Sequence, residues 1–234
     1  MNEHHNIKHP RERIIVALDV PDNGSALDLV GDLKEQISFF KIGLQLYTAA
    51  GPEIVRAVSA AGARVFLDLK LHDIPNTVAK AVESAGKLGV AMLTLHLSGG
   101  RRMIEAAVQA APPDLLLLGV TVLTSSDEET LRETGVAGAV EAQALRLAEL
   151  GAAAGIGGLV ASPHEVRALR SSAAGELVIV TPGVRPAWSA AGDQKRFTTP
   201  REAVENGADY LVIGRPITAD PNPAEAARRI IDEL

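Results

Sequence analysis

The chain has 234 residues, 47% of them hydrophobic, enough for one large domain or two small ones with a sizeable core. It holds no cysteine, which excludes a disulfide framework, thiol chemistry and zinc sites built on thiolates. Its 23 basic and 29 acidic residues leave a net charge of −6, with no global footprint for nucleic acid or an anionic membrane.

Met1 to Pro10 is polar and carries three of the six histidines. Without a rigid frame to hold ligands it reads as a loosely ordered tail and not as a metal site. It has no apolar signal core, and no run in the chain approaches a membrane span, so a soluble cytoplasmic protein is expected.

From Arg13 onward, strand and helix patterns alternate. Arg13 to Val20 reads as a first strand with Asp19 near its end, and Ser25 to Gln36 as a helix. Phe39 to Leu44 is a second strand, and Pro52 to Ala61 a helix. Arg64 to Leu69 is a third, followed by a helix from Pro75 to about Leu88. Val90 to Leu97 is a fourth, with a turn at Ser98 to Gly100 and a helix from Arg101 to Ala111. Leu115 to Leu123 is a fifth, joined through residues 124–138 to a helix over Ala139 to Gly151. Gly157 to Ala161 is a sixth, with Ser162 placed to cap a helix starting at Pro163. Leu177 to Thr181 is a seventh; a short helix at Pro200 to Asn206, an eighth strand at Tyr210 to Ile213 and a helix from Pro223 to Leu234 follow.

The strands are near-continuous apolar runs, as in parallel sheets covered on both faces. Eight strand–helix units over residues 11–234 predict a single (β/α)8 TIM barrel preceded by the tail of residues 1–10. A doubly wound open sheet is the competitor, but residues 19–24 after the first strand hold one glycine and lack its Gly-x-Gly-x-x-Gly turn.

The centre of the chain is Phe66-Leu67-Asp68-Leu69-Lys70-Leu71-His72-Asp73-Ile74-Pro75-Asn76-Thr77. Alternation puts Val65, Leu67 and Leu69 on one face and Phe66, Asp68 and Lys70 on the other. Charges so costly to desolvate are rarely placed on a core strand without partners or a task. Barrel active sites lie at the carboxyl ends of the strands. Those ends collect Asp19, Lys41, Asp68, Lys70 and Asp73. A structural ion-pair network explains any one of them, yet it has no reason to gather all of them at one rim. His96 follows Thr94 on the fourth strand and reads as well as a barrel-filling histidine as a catalytic one.

Barrels commonly hold phosphate on the loops after strands seven and eight. Here these are Thr181-Pro182-Gly183-Val184-Arg185-Pro186, running on to Gln194-Lys195-Arg196, and Gly214-Arg215-Pro216. Gly214 allows close backbone approach, and Arg215 offers a bidentate guanidinium.

Residues 68–77, Val122-Leu123-Thr124-Ser125, 182–186, Asp193-Gln194-Lys195-Arg196 and Ile213-Gly214-Arg215-Pro216 together closely resemble the bacterial-type orotidine 5′-phosphate decarboxylase family, in order and spacing, from about Arg13 to Leu234. The leader and Ala187-Trp188-Ser189 look like tolerated variation. The resemblance implies a carboxy-lyase of pyrimidine biosynthesis that forms uridine 5′-phosphate without any cofactor or metal. Lys70 is then the proton donor at C6, Asp68 lies against the departing carboxylate, and Lys41 and Asp73 keep that pair charged and oriented. Asp19 and Lys41 contact the ribose and Thr124 the pyrimidine edge, while Arg185, Gln194, Gly214 and Arg215 hold the phosphate. The resemblance also implies a homodimer in which Asp73 and Thr77 complete the neighbouring site.

Two alternatives stand beside this reading. Related barrel decarboxylases and aldolases acting on sugar phosphates share the Asp-x-Lys-x-x-Asp strand but use Mg2+ and an enediolate; His72 to Thr77 and Asp193 to Arg196 favour the nucleotide reading. A catalytically silent nucleotide-binding barrel is the other, and the costly charged array argues against it.

Overall fold

The computed structural model describes residues 7, 9–189 and 198–234. Eight parallel strands close into one barrel: β1 (Ile14–Ala17), β2 (Phe39–Gly43), β3 (Arg64–Leu71), β4 (Met92–His96), β5 (Leu116–Val120), β6 (Gly158–Val160), β7 (Val178–Pro182) and β8 (Tyr210–Ile213). Closure is direct, since Ile15 of β1 lies in register with Val212 of β8. That pairing removes the open-sheet alternative.

Helices follow the strands around the outside. They are α1 (Asn23–Leu33), α2 (Leu44–Ala50), α3 (Glu53–Ala60), α4 (Pro75–Gly86), α5 (Arg101–Ala110) and α6 (Glu128–Glu133), then α7 (Val140–Ala153), α8 (Val166–Arg170), α9 (Pro200–Glu205), α10 (Arg215–Thr218) and α11 (Pro223–Asp232). Their starts follow local chemistry. The Asp22 carboxylate accepts from Ser25 N at the head of α1, and Thr199 and Glu202 form a reciprocal capping box on α9. Pro75, Pro200 and Pro223 sit in first turns, where a missing N–H removes no helical hydrogen bond.

The alternation read from β3 holds. Phe66 joins Ile15, Ala17, Phe39, Met92 and Tyr210 inside the barrel, whereas Val65 and Leu67 pack outward with Val16, Phe40 and Leu93 against the helices. At the amino-terminal end of the barrel, Tyr210 meets Phe39 edge-on at 6.0 Å and the Arg64 guanidinium lies 4.3 Å over the Phe39 ring. Ile7, in the leader, packs against this inner cluster. Nearby, Arg170 donates to the carbonyls of Gly207, Gly175 and Leu177 at 2.6–2.8 Å and pairs with Asp209 at 2.5 Å. Asp209 also accepts from Ile179 N at 2.7 Å, so this one pair fixes the entries to β7 and β8.

Three local features differ from the sequence reading. Helix α2 directly follows β2, ended by Gly51 at φ 66°, and α6 forms inside the expected connection of residues 124–138. Ser162 does not cap a helix at Pro163. Instead the Glu165 carboxylate accepts from Ser162 N at 3.3 Å, and α8 begins only at Val166. Among the described residues, no helix is long and apolar enough to cross a membrane.

Candidate active site

The site begins with an irregularity in β3. Leu67 pairs with Leu93 and Leu71 with Leu95, so the register with β4 shifts across the charged segment. Lys70 sits at φ 52°, the one left-handed non-glycine among the described residues. A bulge of this kind re-aims a side chain and ends regular pairing. The conformation costs a non-glycine residue about 1–2 kcal/mol, and such strain collects at functional sites. It is held in place by Thr94 on β4, whose Oγ1 accepts from Lys70 N at 2.8 Å.

The bulge points the Lys70 ammonium back onto Asp68. Nζ donates to both carboxylate oxygens, at 2.8 and 2.9 Å. The same Thr94 hydroxyl that accepts from the Lys70 backbone donates to Asp68 Oδ1 at 2.9 Å. On the other side of Asp68, Lys41 Nζ lies 3.7 Å from Oδ2 and donates to Asp19 Oδ1 at 3.0 Å. The result is a line of alternating charge, Asp19–Lys41–Asp68–Lys70, across the ends of β1, β2 and β3. Side-chain exposure falls from 59% at Asp19 to 11% at Lys41 and 13% at Asp68, so the inner members are shielded from water and interact strongly.

Gly43 makes room for this line. A methyl group at its Cα would stand 2.9 Å from Lys41 Nζ and 3.4 Å from Asp19 Oδ1. Thr94 is fully buried, the hydroxyl between an inner-face methionine and a histidine. The sequence shows Thr94 only as a neighbour of His96. A threonine amid the apolar residues of a barrel-facing strand is the signal that marks it, since a buried hydroxyl needs a partner.

A cleft of about 300 Å³ opens at this end of the barrel. Its lining includes Asp19, Lys41, Asp68 and Lys70, together with Thr124, Arg185, Gly214 and Arg215. Arg185 is 7% exposed, and its backbone N–H donates to Thr198 O at 3.1 Å. A methyl group on Gly214 would find only ordinary contacts, 3.6 Å from Ala17 and 3.9 Å from Asp19. The protein's own packing therefore does not demand glycine there, and the space above it stays open to a ligand.

Asp73 and Thr77 do not reach this cleft in their own chain. Both are exposed, and Asp73 Oδ1 accepts from Ile74 N at 2.6 Å. Within one chain, Asp19 and not Asp73 is the fourth member of the charged line. Gln194 lies outside the described residues. His96 does not line the cleft either; its ring lies 5.5 Å from that of His72, and burial, with the charges of His72 and Lys70 adding, pushes its pKa below the usual value.

Residues 12–230, from ahead of β1 into α11, match the orotidine 5′-phosphate decarboxylase / HUMPS family. The chain belongs to this family. Within it, the orotidine 5′-phosphate decarboxylase of Moorella thermoacetica is 52% identical over 235 residues, covering 97% of this chain and 93% of that protein. The orotidine 5′-phosphate decarboxylase of Opitutus terrae is 51% identical over 224 residues, covering 94% and 97%. The crystal structure of orotidine 5′-phosphate decarboxylase from Lactobacillus acidophilus superposes with a TM-score of 0.83 at 34% identity, over 95% of this chain and 98% of that one. The family match spans the whole barrel and so takes in every residue that lines the cleft.

Proposed function

We propose that this chain is a carboxy-lyase that converts orotidine 5′-phosphate to uridine 5′-phosphate and CO2, a step of pyrimidine biosynthesis. The observation that carries the reading is the bidentate Lys70–Asp68 pair in a cleft that is also lined by Arg185, Gly214 and Arg215. Identity of about half to relatives named for this activity supports it.

In the proposed reaction the bond from C6 to the carboxylate breaks, CO2 leaves, and the electron pair stays on C6. Lys70 stabilises that charge and delivers the proton that replaces CO2; solvent then reprotonates the amine. Asp68 lies against the departing carboxylate, and Lys41 between Asp19 and Asp68 fixes the geometry of the line. Charged groups already in place cost no reorganisation at the moment of reaction, which is the main lever open to a site working without a cofactor. Asp19 and Lys41 meet the ribose hydroxyls and Thr124 the pyrimidine edge. Arg185, Gly214 and Arg215 take the phosphate together with Gln194, so binding energy remote from C6 serves the chemical step.

The proposal places one catalytic domain over residues 11–234, acting in the cytoplasm as a homodimer. Asp73 and Thr77 complete the neighbouring subunit's site. Two observations support the pairing: both residues are exposed near Ile74, which is 66% exposed, and Leu44, which opens α2 directly after β2, is 56% exposed. Apolar surface of that kind next to polar site residues is what an interface covers.

The test is the ultraviolet absorbance of orotidine 5′-phosphate mixed with purified protein in EDTA, with no cofactor added. A fall in the orotate band with uridine 5′-phosphate as product is the expected result. No change in EDTA, with Mg2+-dependent activity on a sugar phosphate, refutes the proposal in favour of the sugar-phosphate branch of the family.

A further inference from the structure

Trp188 is the only tryptophan of the sequence, and it stands three residues beyond Arg185. Its indole Nε1 donates to Glu233 Oε1 at 2.7 Å, while the Arg229 guanidinium carbon lies 3.8 Å over its ring. Arg229 is in the last turn of α11 and Glu233 immediately follows that helix. The indole is thus gripped by a hydrogen bond at its edge and a cation on its face. Each contact is specific in direction, and the indole also packs against the apolar layer between barrel and helices.

The segment so tied is the one that shapes the arginine wall of the cleft. On leaving β7, Val184 bridges Thr198 and Arg185 N donates to Thr198 O at 3.1 Å, which fixes the backbone on one side. The chain then turns, with Ser189 N donating to Pro186 O at 3.0 Å, and Trp188 fastens the turn to α11. Helix α11 also packs against α10, whose first residue is Arg215. One helix therefore braces both arms that carry the cleft arginines. Ala187-Trp188-Ser189, which the family resemblance presents as tolerated variation, contains the clamp.

We infer that Trp188 is a positioning residue for the phosphate end of the cleft: clamped between Arg229 and Glu233, it holds the arm bearing Arg185 in the cleft that Arg215 also lines, where a phosphate monoester would be bound. This rests on the phosphate assignment made above. Losing both contacts releases the arm without touching the charged line, so the cost falls on ligands that carry a phosphate.

The test is calorimetric titration with uridine 5′-phosphate and with uridine, on the wild-type chain, Trp188→Ala, Trp188→Phe and Glu233→Gln, each checked by circular dichroism. Trp188→Ala should weaken uridine 5′-phosphate binding about tenfold, a part of what a cation–π contact and a hydrogen bond to a charged group hold together, and change uridine binding by less than about twofold. Trp188→Phe keeps a ring beneath Arg229 and should fall between. Glu233→Gln removes only the charge and should weaken the phosphorylated ligand by about threefold. Equal losses for both ligands, or none for either, would overturn the positioning role. A wild-type chain that binds uridine 5′-phosphate no better than uridine overturns the phosphate assignment and this inference with it.

Discussion

Replacing Thr94 by valine keeps shape and volume but removes the hydroxyl that links the bulge to the charged line. That hydroxyl accepts from Lys70 N at 2.8 Å and donates to Asp68 Oδ1 at 2.9 Å, in a residue with no solvent exposure. Two losses follow. The Lys70 N–H is left unpaired, which costs about 1–3 kcal/mol, and Asp68 loses a donor to a charged acceptor, about 1.5–3 kcal/mol. The two share one atom and relax together, so the destabilisation should be about 2–4 kcal/mol and not their sum. For a chain of this length that lowers the unfolding midpoint by roughly 5–12 °C. The left-handed Lys70 also loses its restraint, and a misplacement of its ammonium by about 1 Å costs on the order of 100-fold in turnover. Thermal unfolding and steady-state decarboxylation of Thr94→Val and Thr94→Ser check both effects, serine being expected to recover most of each. If Thr94→Val melted with the wild-type chain and turned over within about twofold of it, the hydroxyl would not hold the bulge, and the reasoning would fail.

Lys70→Ala should abolish turnover while leaving a normal circular dichroism spectrum; kcat near the wild-type value would remove Lys70 from the role of proton donor. Arg215→Ala should act chiefly on KM, and an unchanged KM would move the phosphate site elsewhere. Glu165 offers a pH test, because burial raises its carboxyl from an ordinary 4.5 to about 7. Below 4.5 it is protonated in both folded and unfolded chains; between the two values only the folded chain keeps the proton. Its stabilising contribution is therefore complete below 4.5 and lost as pH rises through about 7, on the order of 3 kcal/mol in all. Glu165→Gln should flatten the pH dependence of the melting midpoint between about pH 5 and 8, and an unaltered slope would show that the group does not titrate there. At the opposite end of the barrel, Arg170→Met leaves the Asp209 carboxylate without its ion-pair partner and should cost about 3–5 kcal/mol of stability with KM unchanged. A melting curve like that of the wild-type chain would refute that account.

What was legible in the sequence is what repeats or what is costly. The barrel follows from apolar strands recurring with helical segments between them, and the apolar run Tyr210 to Ile213 coincides with β8. The face assignment on β3 needed only a period of two and an apolar core to hide from water. Lys41, Asp68 and Lys70 announced themselves because ionic side chains on apolar strands are expensive. The bulge left no such trace. Nothing in Leu69-Lys70-Leu71 distinguishes a left-handed lysine from an extended one; φ 52° at Lys70 is imposed by Thr94, which is distant in sequence. Helix α2 leaves no trace for a related reason: its residues have no marker ahead of Gly51, and only the position after β2 makes them helical.

Periodicity and desolvation cost were enough for the fold class, the end of the barrel where charge gathers, and Asp19, Lys41, Asp68 and Lys70 in the cleft; Thr124 came from the family resemblance, and Arg185, Gly214 and Arg215 from their place on the loops after strands seven and eight together with it. Tertiary structure alone decided how they connect. It made Asp19 rather than Asp73 the partner that completes the charged line within one chain, and placed Gly43 where a side chain would collide with Lys41. It also turned Trp188, a loop residue in the sequence, into a contact with the last helix. The physical reason is range: hydrogen bonds and ion pairs reach about 3–4 Å, and which groups come that close is settled only when remote segments pack.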